Sequence, residues 1–166
     1  MFNIGDYVVC PGHGVGQVSS LEKRFNGQSE EMFYYIKLLS NGMKVMMPVK
    51  PQNEGQGLRR LVGDQEIETI YNMLHDHNIK PDTSTWNRRH RDYLAKVKTG
   101  SLVEIADVLR ELFILKYSKK LSFGEKKMME QCKELIVQEI AISRGIKAQD
   151  VSIQIESIFT SPDSMA

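Results

Sequence analysis

A single tryptophan, Trp86, stands near the head of the stretch Thr85-Trp86-Asn87-Arg88-Arg89-His90-Arg91. A flat apolar ring beside three guanidiniums has the chemistry of a DNA minor-groove wedge, in which the ring unstacks a base step while the cations hold phosphates. The same ring fits a second account. Trp86, His90, Tyr93, Leu94 and Val97 recur at helical spacing, so Trp86 also qualifies as the first core residue of an amphipathic helix. Both readings stand at this point.

Other residues that could do chemistry are fewer than they look. His75-Asp76-His77 resembles a metal pair, but residues two apart on a helix point in different directions, and no third ligand follows at a suitable spacing. Surface histidines at a helix end are expected instead. Pro11-Gly12-His13-Gly14-Val15-Gly16 is glycine-rich, yet a strand follows it where a phosphate-cradling loop would open a helix. With no nucleophile, acid/base pair or metal set assembled by spacing, the chain is not expected to be an enzyme or to carry a cofactor or metal. Cys10 and Cys132 are two thiols far apart, read as reduced and buried in a cytoplasmic protein.

Charge is nearly balanced overall, at a formal +1, which argues against a bulk polyanion binder. Its distribution argues differently. Lys80, Arg88, Arg89, Arg91, Lys96 and Lys98 face only Asp82 and Asp92 over residues 80–98, and Lys116, Lys119, Lys120, Lys126 and Lys127 face only Glu125 over residues 116–127. A more acidic segment follows. Taken singly, such patches are commonly solvated helix faces; together they could form one basic surface. Arg88 and Arg89, and again Lys126 and Lys127, sit near the positive ends of expected helices, where cations are disfavoured. Glu125 offsets this at one helix, nothing obvious does at the other, and an external phosphate would relieve the misfit.

The elements that must position these residues fall into two groups with different periods. Up to about residue 50 the chain reads as short strands, with Asn26-Gly27 and Asn41-Gly42 as hairpin turns. A compact antiparallel meander of this size should curl into a small barrel to limit its edges. In Lys44 to Val49, period two puts Val45, Met47 and Val49 on one face and Met46 and Pro48 on the other, and the proline marks an edge. Met32 to Leu39 is apolar on both faces, through Phe33 and Tyr35 on one side and Tyr34, Ile36 and Leu38 on the other. The surplus apolar surface fits either a docked partner strand near Ile36 or Met46, or cover from the helices. From Gly63 onward the period is helical. Helices are expected over about 64–77, 85–98, 101–120, 122–143 and 148–159, the third and fourth opened by the capping boxes Ser101–Glu104 and Ser122–Glu125. The fold expected is α+β: a β-module over residues 1–62, an all-helical module over 63–160, and a frayed tail over 161–166. No run approaches the roughly 18 apolar residues of a membrane span, and no secretory signal opens the chain. A monomer is expected.

Thr85-Trp86-Asn87-Arg88-Arg89, Leu121-Ser122-Phe123-Gly124-Glu125-Lys126-Lys127-Met128 and the opening Gly5-Asp6-Tyr7-Val8-Val9-Cys10-Pro11-Gly12-His13-Gly14-Val15-Gly16, in this order, resemble the CarD/CdnL family of bacterial RNA-polymerase-binding transcription regulators. The similarity runs from Phe2 to about Ile142. It implies an N-terminal Tudor-like barrel, similar to the polymerase-interacting domain of transcription-repair coupling factors, that docks on the polymerase β subunit. It also implies a helical domain that touches promoter DNA at the upstream edge of the melted region and steadies the open complex. Carried over residue by residue, Trp86 is the wedge; Arg88, Arg89, Arg91 and Lys126 are the basic DNA-facing positions; Arg24, Met46 and Pro48 match the β contact. Some members carry arginine where Met46 stands, which favours an apolar contact here, and the AT-hook tail of larger members is missing. The resemblance thus implies a cytoplasmic protein brought to the nucleoid by polymerase, with no cofactor and no membrane partner. The alternative from the residues alone is an adaptor whose two modules each bind a protein and not DNA; a steep loss of binding with salt would separate the two.

Overall fold

The computed structural model describes residues 2–25, 27–49 and 57–160. The chain divides after Leu61 into two compact units. Asn26 of the expected first hairpin and the expected frayed tail lie outside the described residues.

The first unit is an antiparallel sheet of β1 (Tyr7–Cys10), β2 (Gly14–Phe25), β3 (Glu30–Leu38) and β4 (Lys44–Pro48), paired in that order. Alternation decides what each strand buries. Val8, Cys10, Val18, Tyr34, Ile36 and Leu38 form one inner cluster, with Phe2, Leu21, Val45, Met47, Val49 and Leu58 packed against it. Val18 and Leu21 are three apart, an odd spacing that cannot put both inward on a regular strand. The register supplies the answer: Val18 pairs with Ile36 but Ser20 pairs with Tyr35, so a bulge at Ser19 absorbs one residue and returns Leu21 to the core opposite Tyr34. A bulge also bends and twists its strand, which lets the four strands curl into a half-barrel where a small barrel was expected, consistent with a Tudor-like module. β1 is covered on its outer side by a bridge to Arg59, whose carbonyl accepts the Val9 N–H at 2.9 Å. β4 ends the sheet, and its outer edge has no partner among the described residues.

The second unit contains α1 (Asp64–His75), α2 (Trp86–Lys98), α3 (Leu102–Ser118), α4 (Phe123–Arg144) and α5 (Ala148–Thr160). α3 is the central helix. It buries residues on most of its circumference, among them Ile105, Ala106, Leu109, Leu112 and Phe113, and packs on α1, α2 and α4. Such a helix carries little amphipathic contrast because nearly every side meets protein. The α4 start is set by a full reciprocal box: the Ser122 hydroxyl accepts the Glu125 N–H while the Glu125 carboxylate accepts the Ser122 N–H. Ser101 caps α3 through its side chain, accepting the Glu104 N–H. α4 stops at Gly145, whose left-handed backbone (φ 66) returns its N–H to the carbonyls of Ala141 and Ile142. α1 ends two residues before the expected His77, which instead half-buries and stacks on Phe159 at 5.1 Å between ring centroids. Glu139, buried in α4, accepts the Val62 N–H at 2.8 Å and so fixes where this unit begins.

Candidate nucleic-acid interface

Trp86 is the first residue of α2 and is half-buried. Its ring lies over His90 (centroids 5.0 Å apart), approaches Tyr93 at 6.1 Å, and has the Arg89 guanidinium 5.3 Å from its centroid. The remaining neighbour is backbone. A Cβ placed on Gly124 would fall 2.9 Å from the indole Nε1 and 3.0 Å from Cζ2, closer than carbon packs. Only glycine therefore allows the head of α4 to reach the ring. The core account of Trp86 holds in part: the ring packs on the core stripe of α2, and the residue stays half-buried.

Arg89 is placed where the sequence reading did not put it. Expected to face DNA, it is 5% exposed. Nη1 donates to Glu125 Oε2 at 2.9 Å and Nε donates to the Ser84 carbonyl at 3.0 Å. Its burial follows from helical geometry, since Arg89 and Tyr93 are four apart on the core side of α2. The anion that relieves this cation at the head of α2 is thus internal. Glu125 serves both helices.

Glu125 is 1% exposed and is surrounded by donors. Besides Arg89, its Oε1 accepts the Ser122 N–H at 2.9 Å and pairs with Lys119 Nζ at 3.0 Å. Burial pushes its carboxyl upward, but the Ser122 backbone donor, Lys119 and Arg89 outweigh it and hold the group down to about 2. Tyr93, buried nearby, has its hydroxyl pushed up to about 12 by loss of water.

Around this locked centre the surface is basic. Arg88 and Arg91 are exposed on α2, three residues apart and so on one face. Lys126 and Lys127 are exposed on α4, and Lys119 and Lys120 on the turn before it. The contacts of Trp86 with Gly124 and of Arg89 with Glu125 join the heads of α2 and α4, which brings Lys126 to the same junction as Trp86. Two exposed carboxylates interrupt the field on the α2 side: Asp92, on the helix itself beside Arg91, and Asp82, held below its ordinary range mainly by the Ser84 N–H and further by Arg88 and Arg89. Phe123, the first residue of α4, is 82% exposed. The sequence reading quoted this phenylalanine in a motif without giving it a role.

In the first unit, Met46 is exposed and pairs with Tyr35, and Pro48 pairs with Phe33. Arg24 stands over the Tyr35 ring at 5.8 Å. Arg24, Met46 and Pro48 therefore belong to one outward surface on β2, β3 and β4, floored by Tyr35 and Phe33. Those two aromatics were missed as site residues, although their place on the outer face was readable from alternation. Ile36 does not belong there. It is fully buried and lies on β3, hydrogen-bonded between β2 and β4, so neither its side chain nor its backbone offers an edge; the edge is β4.

Among the described residues no group of three His, Cys, Asp or Glu could hold a metal, and no helix is long and apolar enough to cross a membrane. Both thiols are buried, and loss of water pushes Cys10 up to about 11 and Cys132 up to about 12, away from reactivity.

The structure is thus a curled four-stranded sheet followed by a five-helix unit, with Met46, Pro48 and Arg24 on the sheet's outer face and a half-buried indole at the head of α2. Comparison with known proteins identifies the class. Residues 2–62 match the CarD-like/TRCF RID domain, and residues 69–156 match the CarD C-terminal domain. The chain is also 28% identical over 151 residues to YdeB of Bacillus subtilis (strain 168), a candidate transcription factor, an alignment covering 91% of this chain and 97% of that protein. This chain belongs to the CarD-like family of transcription factors.

Proposed function

We propose that the protein regulates transcription by docking its first unit on the RNA polymerase β subunit while its second unit contacts promoter DNA at the upstream edge of the melted region, stabilising the open complex. The docking surface is the outer face carrying Arg24, Met46 and Pro48 beside the outer edge of β4, which has no partner among the described residues and is of the type that accepts a partner strand. The DNA surface is Trp86 with Arg88, Arg91 and Lys126. One observation carries this reading: a half-buried indole at the head of α2 packs on Gly124 at the head of α4, in a unit whose α2 and α4 carry the exposed cations Arg88, Arg91 and Lys126.

The mechanism is a shift between states and needs no catalysed reaction. Contacts made only with unstacked, opened DNA favour the open promoter over the closed one by their differential free energy. Unstacking a base step costs a few kcal/mol, and an aromatic face beside phosphate-binding cations returns energy of that size. Trp86→Ala tests this. Its expected effect is a shortened open-complex lifetime at a weak promoter, with capture of polymerase by the first unit retained. A folded Trp86→Ala protein that supports wild-type open-complex lifetimes would remove the DNA role from this residue.

A further inference from the structure

Phe123 is the most exposed of the large hydrophobic residues described. Its position gives it no internal duty. The start of α4 is fixed by Ser122 and Glu125, and the core contact at this turn is made by Gly124 against Trp86. A single exposed ring is ordinary on a protein surface; what distinguishes Phe123 is its place, beside the Gly124–Trp86 contact and among exposed lysines.

The surroundings select its occupant. Lys119, Lys120, Lys126 and Lys127 flank Phe123 in the chain and are exposed. The nearest carboxylate in sequence, Glu125, is buried and consumed by Arg89, Lys119 and Ser122; the next exposed one, Glu130, lies a turn beyond Lys126. An apolar protein surface would have to desolvate these lysines, whereas a strand with phosphates on one side and flat bases on the other satisfies both the cations and the ring. Paired bases keep their faces stacked on one another. An unpaired base offers its face.

We infer that Phe123 is a second aromatic contact of this surface, a platform on which an unpaired base of single-stranded DNA stacks, beside the duplex site of Trp86. Phe123 adjoins Gly124, which touches the indole, so the two rings rise from one junction and suit the boundary between duplex and melted strand. The inference rests on the DNA-contacting role proposed above and deepens it: Trp86 takes the duplex side and Phe123 the unpaired side.

The test uses the full chain and fluorescein-labelled DNA, followed by anisotropy at roughly 50 mM salt, where phosphate contacts are strong. One probe is a duplex; the other is the same duplex with an unpaired extension on one strand. Wild type should bind the forked probe more tightly. Phe123→Ala should weaken fork binding by at least about fivefold, the lower end of base–aromatic stacking, and leave duplex binding and melting temperature unchanged. Phe123→Trp should retain fork binding and Phe123→Leu should not, because stacking needs a flat ring. Equal binding of the fork by wild type and Phe123→Ala, or an equal loss on both probes, overturns the platform while leaving the role of Trp86 intact. Absence of salt-sensitive binding to either probe overturns both.

Discussion

Replacing Arg89 by methionine separates a structural arginine from a DNA-facing one. The guanidinium is buried and donates to Glu125 Oε2 and the Ser84 carbonyl. Methionine keeps the apolar stem and removes both donors. Breaking a buried ion pair from one side costs about 3–5 kcal/mol, because the other charge stays buried without its partner. Here Lys119 and the Ser122 N–H remain on Oε1, so the lower end, about 3 kcal/mol, is expected. For a unit of about 100 residues that corresponds to a fall in melting temperature of roughly 10–20 °C. Arg88→Ala and Arg91→Ala supply the contrast. Exposed, they should change stability by no more than about 0.5 kcal/mol, yet each should reduce the salt dependence of DNA binding by about one phosphate contact. Arg89→Met combined with Glu125→Gln should recover part of the single-variant loss, since no uncompensated charge is then left inside. The assays are thermal melts beside salt titrations of DNA binding. An Arg89→Met protein that melts like wild type but loses DNA binding as Arg88→Ala does would refute the assignment, placing the guanidinium on the surface after all.

Acid should act through the same carboxylate. Glu125 is held at about 2 against an ordinary 4.5, so its contribution, on the order of 3 kcal/mol, is fully present above pH about 4.5 and lost as pH falls toward 2; Glu125→Gln should flatten that part of a pH–stability curve, and an unchanged slope would contradict the depressed value. Gly124→Ala should displace the indole by crowding Nε1 and Cζ2, shifting tryptophan emission and reducing open-complex lifetime with Trp86 still present; an unaltered emission spectrum would show that the contact is loose. Met46→Glu places a charge on the outer face beside Tyr35, and capture of polymerase β should weaken while melting stays within about 0.5 kcal/mol of wild type, as for an exposed position; undiminished capture would move the docking surface elsewhere.

Much of the architecture was legible because it rests on local pattern. The change from period two to period 3.6 at Gly63 separated the β-module from the helices, alternation in Lys44 to Val49 placed Met46 outward, and the Ser122–Glu125 spacing announced the head of α4. What escaped notice depends on partners distant in sequence. Arg89 looked like one of several surface cations because Glu125, the group that draws it inward, lies 36 residues away. Ile36 looked like an edge residue because single-strand alternation cannot say whether a strand ends a sheet or runs through its middle. The bulge at Ser19 did leave a trace, the odd spacing of Val18 and Leu21, which a strict test of period two would have caught. The close approach of Gly124 to Trp86 left none, since a glycine in a helix head carries no record of the ring it accommodates.

Seating an indole against bare backbone has a kinetic consequence. An aromatic side chain that swings freely must lose its rotamer freedom at the moment of contact, and that loss weakens whatever it grips. In this protein the His90 ring, the Arg89 guanidinium and the Gly124 backbone restrict the Trp86 ring during folding, before any strand arrives. On the DNA role proposed above, the helical unit would present a stiff blade, and the timing of engagement would be set by when the DNA opens, with no search by the protein for the right shape.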